Sequence, residues 1–148
     1  MTKKEAALLY AKNGYHVFPL VPYWKSPATE NGFHDATTDQ NKIENWWSKN
    51  PEYNIGIRCG KDYKIITLDV DKKKDKNGFL WLNAQDELPN TVEQITPSGG
   101  SQFLFKSTEE FFSSNSDKIA TGVDVRADNG YIVVPPSCIK KRSGYDYE

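Results

Sequence analysis

Residues 65–71, IITLDVD, and 123–126, VDVR, limit the possible folds more than any other part of the chain. Side chains alternate along a strand, so Ile66, Leu68 and Val70 share one face while Ile65, Thr67, Asp69 and Asp71 share the other. In the second segment Val123 and Val125 face a core, and Asp124 and Arg126 lie opposite. Both segments therefore call for a sheet that is oily on one side and carries acids on the other.

The remaining elements follow from local signals. Thr2 and Glu5 form a capping-box pattern ahead of an Ala- and Leu-rich helix that Asn13-Gly14 stops. YHVFPL, 15–20, reads as a strand ended by Pro19 and Pro22, and a long loop containing Lys25 follows. Thr38 and Asp39 cap a second helix through Ile43, Trp46 and Trp47, with the two rings near one apolar face, and Asn50-Pro51 ends it. YNIGIRCG is a strand closed by Gly60 and is expected to pair with 65–71 as a hairpin. A third helix is expected over 79–86. VEQITPSGGSQFLFK reads as strand, Gly-rich turn and strand; a short helix is expected over 108–113; and 122–137 reads as two strands joined at Asp128-Asn129-Gly130. Helices early and hairpins late predict an α+β (mixed α/β) fold with a largely antiparallel sheet, and 148 residues predict one domain, 1–148.

A formal charge of −1 gives no global reason to bind nucleic acid, so any such role must come from local patches. Two basic clusters qualify, Lys72, Lys73, Lys74 and Lys76, and Lys140, Lys141 and Arg142, though a solvated face is the commoner meaning of such runs. Cys59 and Cys138 occur without a secretory segment or a membrane-length apolar run. The expectation is a reduced, cytoplasmic protein with no membrane partner. His16 and His34 have no partner at metal-ligand spacing.

Asp69 and Asp71 stand about 7 Å apart at Cα on one strand face, near enough to share a cation. The alternative is a solvated turn, DKKKDKNG, capped by Asp69. If the two strands are neighbours, Asp124 converges on the same place, and three carboxylates suit Mg²⁺ or Mn²⁺; Asp124 paired with Arg126 is the competing arrangement. In TPSGGSQ, Gly99 and Gly100 permit close backbone approach and positive φ, while Ser98 and Ser101 add hydroxyls, which suits a phosphate. A plain hairpin turn accounts for the same residues.

Taken in order, YAKNGYHVFPLVPYWKSP, ATTD, NPEYNIGIRCG, the paired aspartates, TPSGG, GVDVR and GYIVVPPS resemble the bifunctional primase/polymerase domain of the archaeo-eukaryotic primase superfamily, as carried by plasmid, phage and other mobile-element replication proteins. The resemblance covers nearly the whole chain. It implies that superfamily's fold, with an RRM-like catalytic half, and DNA-templated nucleotidyl transfer from an NTP or dNTP on a single-stranded template or primer-template. It implies that Asp69, Asp71 and Asp124 bind the divalent metals, and that Ser98, Gly99, Gly100, Ser101 and Gln102 hold the triphosphate. Lys25, Arg58 and Arg126 adjoin matching motifs and are candidates for phosphate or template contacts. Such domains usually precede a helicase, so a helicase domain or protein is an expected partner.

The chain departs from the family at Gln102, where the pattern has histidine. Glutamine offers only a neutral amide, and losing one charge-assisted contact is worth about 1–3 kcal/mol. A catalytically weak or inactive module that binds nucleotide, single-stranded DNA or a replication partner is therefore the alternative. A phosphohydrolase or nucleotide-sugar transferase fits less well, because lysines follow the second aspartate where an aspartyl-nucleophile enzyme has a small hydroxyl residue.

Overall fold

A computed structural model of the chain describes residues 1–107 and 113–140. It is a mixed α+β protein with few helices and two antiparallel sheets. The described residues divide into two compact units, 1–58 with 130–140, and 59–107 with 113–129.

In the first unit, α1 (Lys3–Lys12) starts at the expected capping box, with the Thr2 hydroxyl accepting from the Glu5 N–H and the Glu5 carboxylate from the Thr2 N–H. The second helix, α2 (Gln40–Lys49), is capped by Asp39, which accepts from the N–H groups of Asn41 and Lys42. Trp47 is buried at 1% exposure and Trp46 packs edge-on against it from a half-buried position. Strands β1 (Val17–Leu20), β2 (Asn54–Arg58) and β8 (Tyr131–Val134) form a sheet in the order β1-β2-β8. Pro19 is tolerated because β1 lies at the edge. Asn54, fully buried, is satisfied by donating to the carbonyls of Trp24 and Cys138 and accepting from the Cys138 N–H. A 3-10 turn, Gly32–Asp35, lies in the loop before α2.

The second unit is a five-stranded sheet of order β4-β5-β3-β7-β6, from β3 (Ile65–Val70), β4 (Val92–Ile95), β5 (Ser101–Lys106), β6 (Asn115–Ala120) and β7 (Val123–Arg126), with a short α3 (Phe79–Asn83). The β4–β5 hairpin forms as expected, closed by Thr96 N–H to the Gly100 carbonyl at 2.9 Å.

Three expectations need correction. The strand at 54–58 does not pair with 65–70: β2 lies between β1 and β8, and β3 between β5 and β7. Gly60, at φ +127°, turns the chain from one sheet into the other. Likewise β7 and β8 are joined at Asn129, φ +61°, yet pair in different sheets, because each finds a longer partner elsewhere. The third helix stops at Asn83, three residues earlier than expected. Of the helix expected over 108–113, positions 108–112 lie outside the described residues, and Ser113 forms an isolated bridge to Asp128.

Candidate active site

Register makes the site. Asp69 on β3 pairs directly with Asp124 on β7 and with Gln102 on β5, and Gln102 pairs with Gln94 on β4. Paired residues in antiparallel strands point to the same face, so Gln94, Gln102, Asp69 and Asp124 form one polar row across four strands. Asp71 extends the same face one step beyond the end of β3. The other face carries Ile66, Leu68, Val70, Phe103 and Phe105, as the alternation requires. Burial does not follow that division: Ile65 and Thr67, on the acid side, are buried at 4% and 0%, whereas Ile66 and Leu68 are half-buried.

The three acids differ in their partners. Asp124, 8% exposed, has both oxygens engaged, Oδ1 by the Asp117 N–H at 3.1 Å and Oδ2 by the Arg126 guanidinium at 3.3 Å. Asp69 lies directly opposite Gln102, and its buried Oδ1 has no protein partner. Burial and then the Asp71 charge raise the Asp69 pKa, as does Asp124, while the Gln102 hydrogen bond and the Arg126 charge lower it. A buried, unpartnered carboxylate oxygen beside a second carboxylate is the environment a cation relieves. Among the described residues no group of three or more His, Cys, Asp or Glu is already disposed to hold a metal ion. Both Asp124 oxygens are committed to Asp117 and Arg126.

The backbone that carries Asp71 is gripped on two sides. Its N–H donates to the Gly122 carbonyl and its carbonyl accepts from the Gly78 N–H, each at 2.8 Å. A Cβ on Gly78 would lie 2.4 Å from the Gly122 carbonyl oxygen, so the glycine is needed for the approach. Gly100 is similar, since a Cβ there would lie 2.6 Å from the Val70 carbonyl oxygen. Gly99 differs: nothing lies within 4 Å of its Cβ position, and φ +86° explains the residue. The two glycines of the turn thus serve separate purposes.

Beside the acids lies an open cavity of about 520 Å³ bounded by Asp71, Asp124, Lys73, Lys76, Ser116 and Asp117. Lys76 pairs with Asp117, which raises the lysine pKa and lowers the aspartate's. The lysine run is an exposed tight turn closed by a bridge between Lys72 and Asn77.

The structure brings together Asp69, Asp71, Asp124, Gln102 and Arg126. Ser98 and Gly99 are exposed on the adjoining turn. Ser101 falls on the opposite face from Gln102, where its buried hydroxyl donates to Glu93 at 2.6 Å. Lys25 and Arg58 belong to the other unit; Lys25 is exposed, and the Arg58 guanidinium lies 5.2 Å from the Phe33 ring centroid. Lys140 approaches the Tyr23 ring at 4.2 Å, and positions 141 and 142 lie outside the described residues. Sequence reasoning missed Gln94 and Asp117. Counting outward from the Gly-Gly turn pairs Gln94 with Gln102, so that signal was present. Asp117, in the polar stretch NSDKIA, offered none.

Among the described residues no helix is long and apolar enough to cross a membrane. No curated relative matches the chain. Residues 7–148 match the family model of the N-terminal domain of bifunctional DNA primase/polymerase, Prim-Pol, and the chain belongs to that family.

Proposed function

We propose that the chain carries out DNA-templated nucleotidyl transfer as a primase or DNA polymerase in the replication of a mobile element, with Mg²⁺ or Mn²⁺ at the end of β3. The observation that carries this reading is the opposition of Asp69 and Asp124 across adjacent strands, with Asp71 on the same face and a buried Asp69 oxygen that no protein group satisfies. Asp69 and Asp71 would hold the cation. Asp124 would join them once released by Arg126 and the Asp117 amide. Divalent metal there supplies charge neutralisation at the α-phosphate and the departing pyrophosphate and makes the primer 3′-hydroxyl easier to deprotonate.

The chain's own residues orient and select. Ser98 and the exposed Gly99 turn give neutral donors to the triphosphate, and Arg126, once exchanged from Asp124, gives a cationic one. Lys25 and Arg58 are assigned to phosphate or template contacts, and a helicase is the partner this reading expects.

One observation favours a second reading, a nucleotide- or DNA-binding module with little activity: Gln102 stands where the family has histidine, and its amide is engaged by Gln94 beside Asp69.

Primer extension and de novo synthesis with Mg²⁺ and with Mn²⁺ separate the two, using the parent chain, the double variant Asp69→Ala with Asp71→Ala, and Gln102→His. The first reading expects synthesis by the parent that the double variant abolishes. Synthesis only after Gln102→His favours the second, and synthesis that survives loss of both aspartates removes the metal assignment.

A further inference from the structure

Gln102 stands in the middle of a polar side-chain row across three strands. Its Oε1 accepts from the Gln94 Nε2, and register sets its side chain beside the Asp69 carboxylate, whose pKa it lowers. A carboxylate only accepts, so the Gln102 end facing Asp69 is its NH₂. The two ends of a carboxamide have nearly the same shape, and only the partners decide which way it points. Gln94 and the carboxylate fix it together: donation to Oε1 on one side leaves NH₂ toward Asp69 on the other. Without Gln94 the Oε1 end loses its donor, and the amide is free to swing away from the carboxylate.

We propose that Gln94 is a positioning residue that locks the Gln102 carboxamide onto Asp69, so that residue 102 orients the metal-binding carboxylate and does not contact the nucleotide triphosphate. The inference rests on the assignment of Asp69 as a metal ligand. Register supports it independently of side-chain placement, since Gln94, Gln102 and Asp69 are consecutive members of one cross-strand row. It also gives the departure from histidine a purpose. Asp69 has lost a neighbouring cation and gained a neutral donor held by a second glutamine.

Two measurements on the whole chain test the lock without any catalytic turnover. In metal-free and nucleotide-free protein, the side-chain NH₂ resonances of Gln102 are followed by NMR in Asp69→Asn and in Gln94→Leu, with the backbone amide spectrum as the check on folding. Both variants are expected to displace the Gln102 pair; displacement in only one, or in neither, overturns the relay. Mn²⁺ affinity is then measured by electron paramagnetic resonance. Gln94→Leu is expected to weaken Mn²⁺ about three- to tenfold. Mn²⁺ binding by the parent that Gln94→Leu leaves unchanged overturns the role of Gln94 alone. Absence of Mn²⁺ binding by the parent overturns the metal assignment, and the role of Gln94 with it.

Discussion

Asp69 and Asp124 face each other directly across the β3–β7 ladder, yet only Asp124 has a cationic side chain bound to it. Like charges directly opposed in a sheet destabilise it unless something compensates. Arg126 compensates on one side, and burial leaves the other side exposed to the full effect. The site is therefore electrostatically unfinished at Asp69.

Removing that charge is expected to stabilise the protein while removing its activity. A carboxyl whose folded pKa is raised binds its proton more tightly in the folded state, so its ionisation destabilises as pH rises from the ordinary carboxylate range through the folded pKa. Asp69→Asn should abolish that dependence. Urea denaturation at a series of pH values should show the variant gaining on the parent as pH rises through this window and holding a constant lead above it.

A divalent cation should stabilise the parent by mass action. At a concentration one hundred times its Kd the gain is about 2.7 kcal/mol. Thermal melts with and without Mn²⁺ should show a clear upward shift for the parent and none for the double variant Asp69→Ala with Asp71→Ala.

Arg126 and a cation compete for Asp124. Arg126→Gln should cost the metal-free protein about 1–3 kcal/mol, because it leaves a buried carboxylate with the Asp117 amide as its remaining partner. Mn²⁺ should restore more of that loss than it adds to the parent. Equal Mn²⁺ gains in the two proteins would remove Asp124 from the cation's ligands.

The two turn glycines should respond differently to substitution. Gly99→Asn places a residue that accepts positive φ where nothing crowds it, and is expected to cost less than about 1 kcal/mol. Gly100→Ala forces a Cβ against the Val70 carbonyl, and the strain is expected to cost about 1–3 kcal/mol and to reduce synthesis through displacement of the adjoining acids. Denaturant unfolding and primer extension on both variants check this.

Much of this architecture could be read from the sequence wherever its cause is local. Thr2 with Glu5, and Asp39, announce helix starts because capping needs a hydroxyl or carboxylate at one position only. The Gly-Gly turn announces a hairpin for a similar reason, and strand alternation put Asp69, Asp71 and Asp124 on their common face. Pairing choices were not legible. Nothing within YNIGIRCG says that its partners lie 34–40 residues before it and 73–79 residues after it, and proximity to 65–70 made a hairpin the natural reading. Strand β6 was missed because NSDKIA is an exposed edge with no apolar alternation. The partner of Asp124 was a matter of geometry, since Arg126 two residues on was visible and the Asp117 amide was not.

The grip on Asp71 has an implication for how such a domain diversifies. Hydrogen bonds to Gly122 and from Gly78 seal the base of the lysine turn, and the Lys72–Asn77 bridge seals it again one residue out. Residues 72–77 are thereby kept from moving the backbone of the acid they follow, while the Lys76 charge still reaches it. Their charge and length form a replaceable cassette, in which variation can retune attraction to a polyanion while the aspartate at its root stays where the sheet put it.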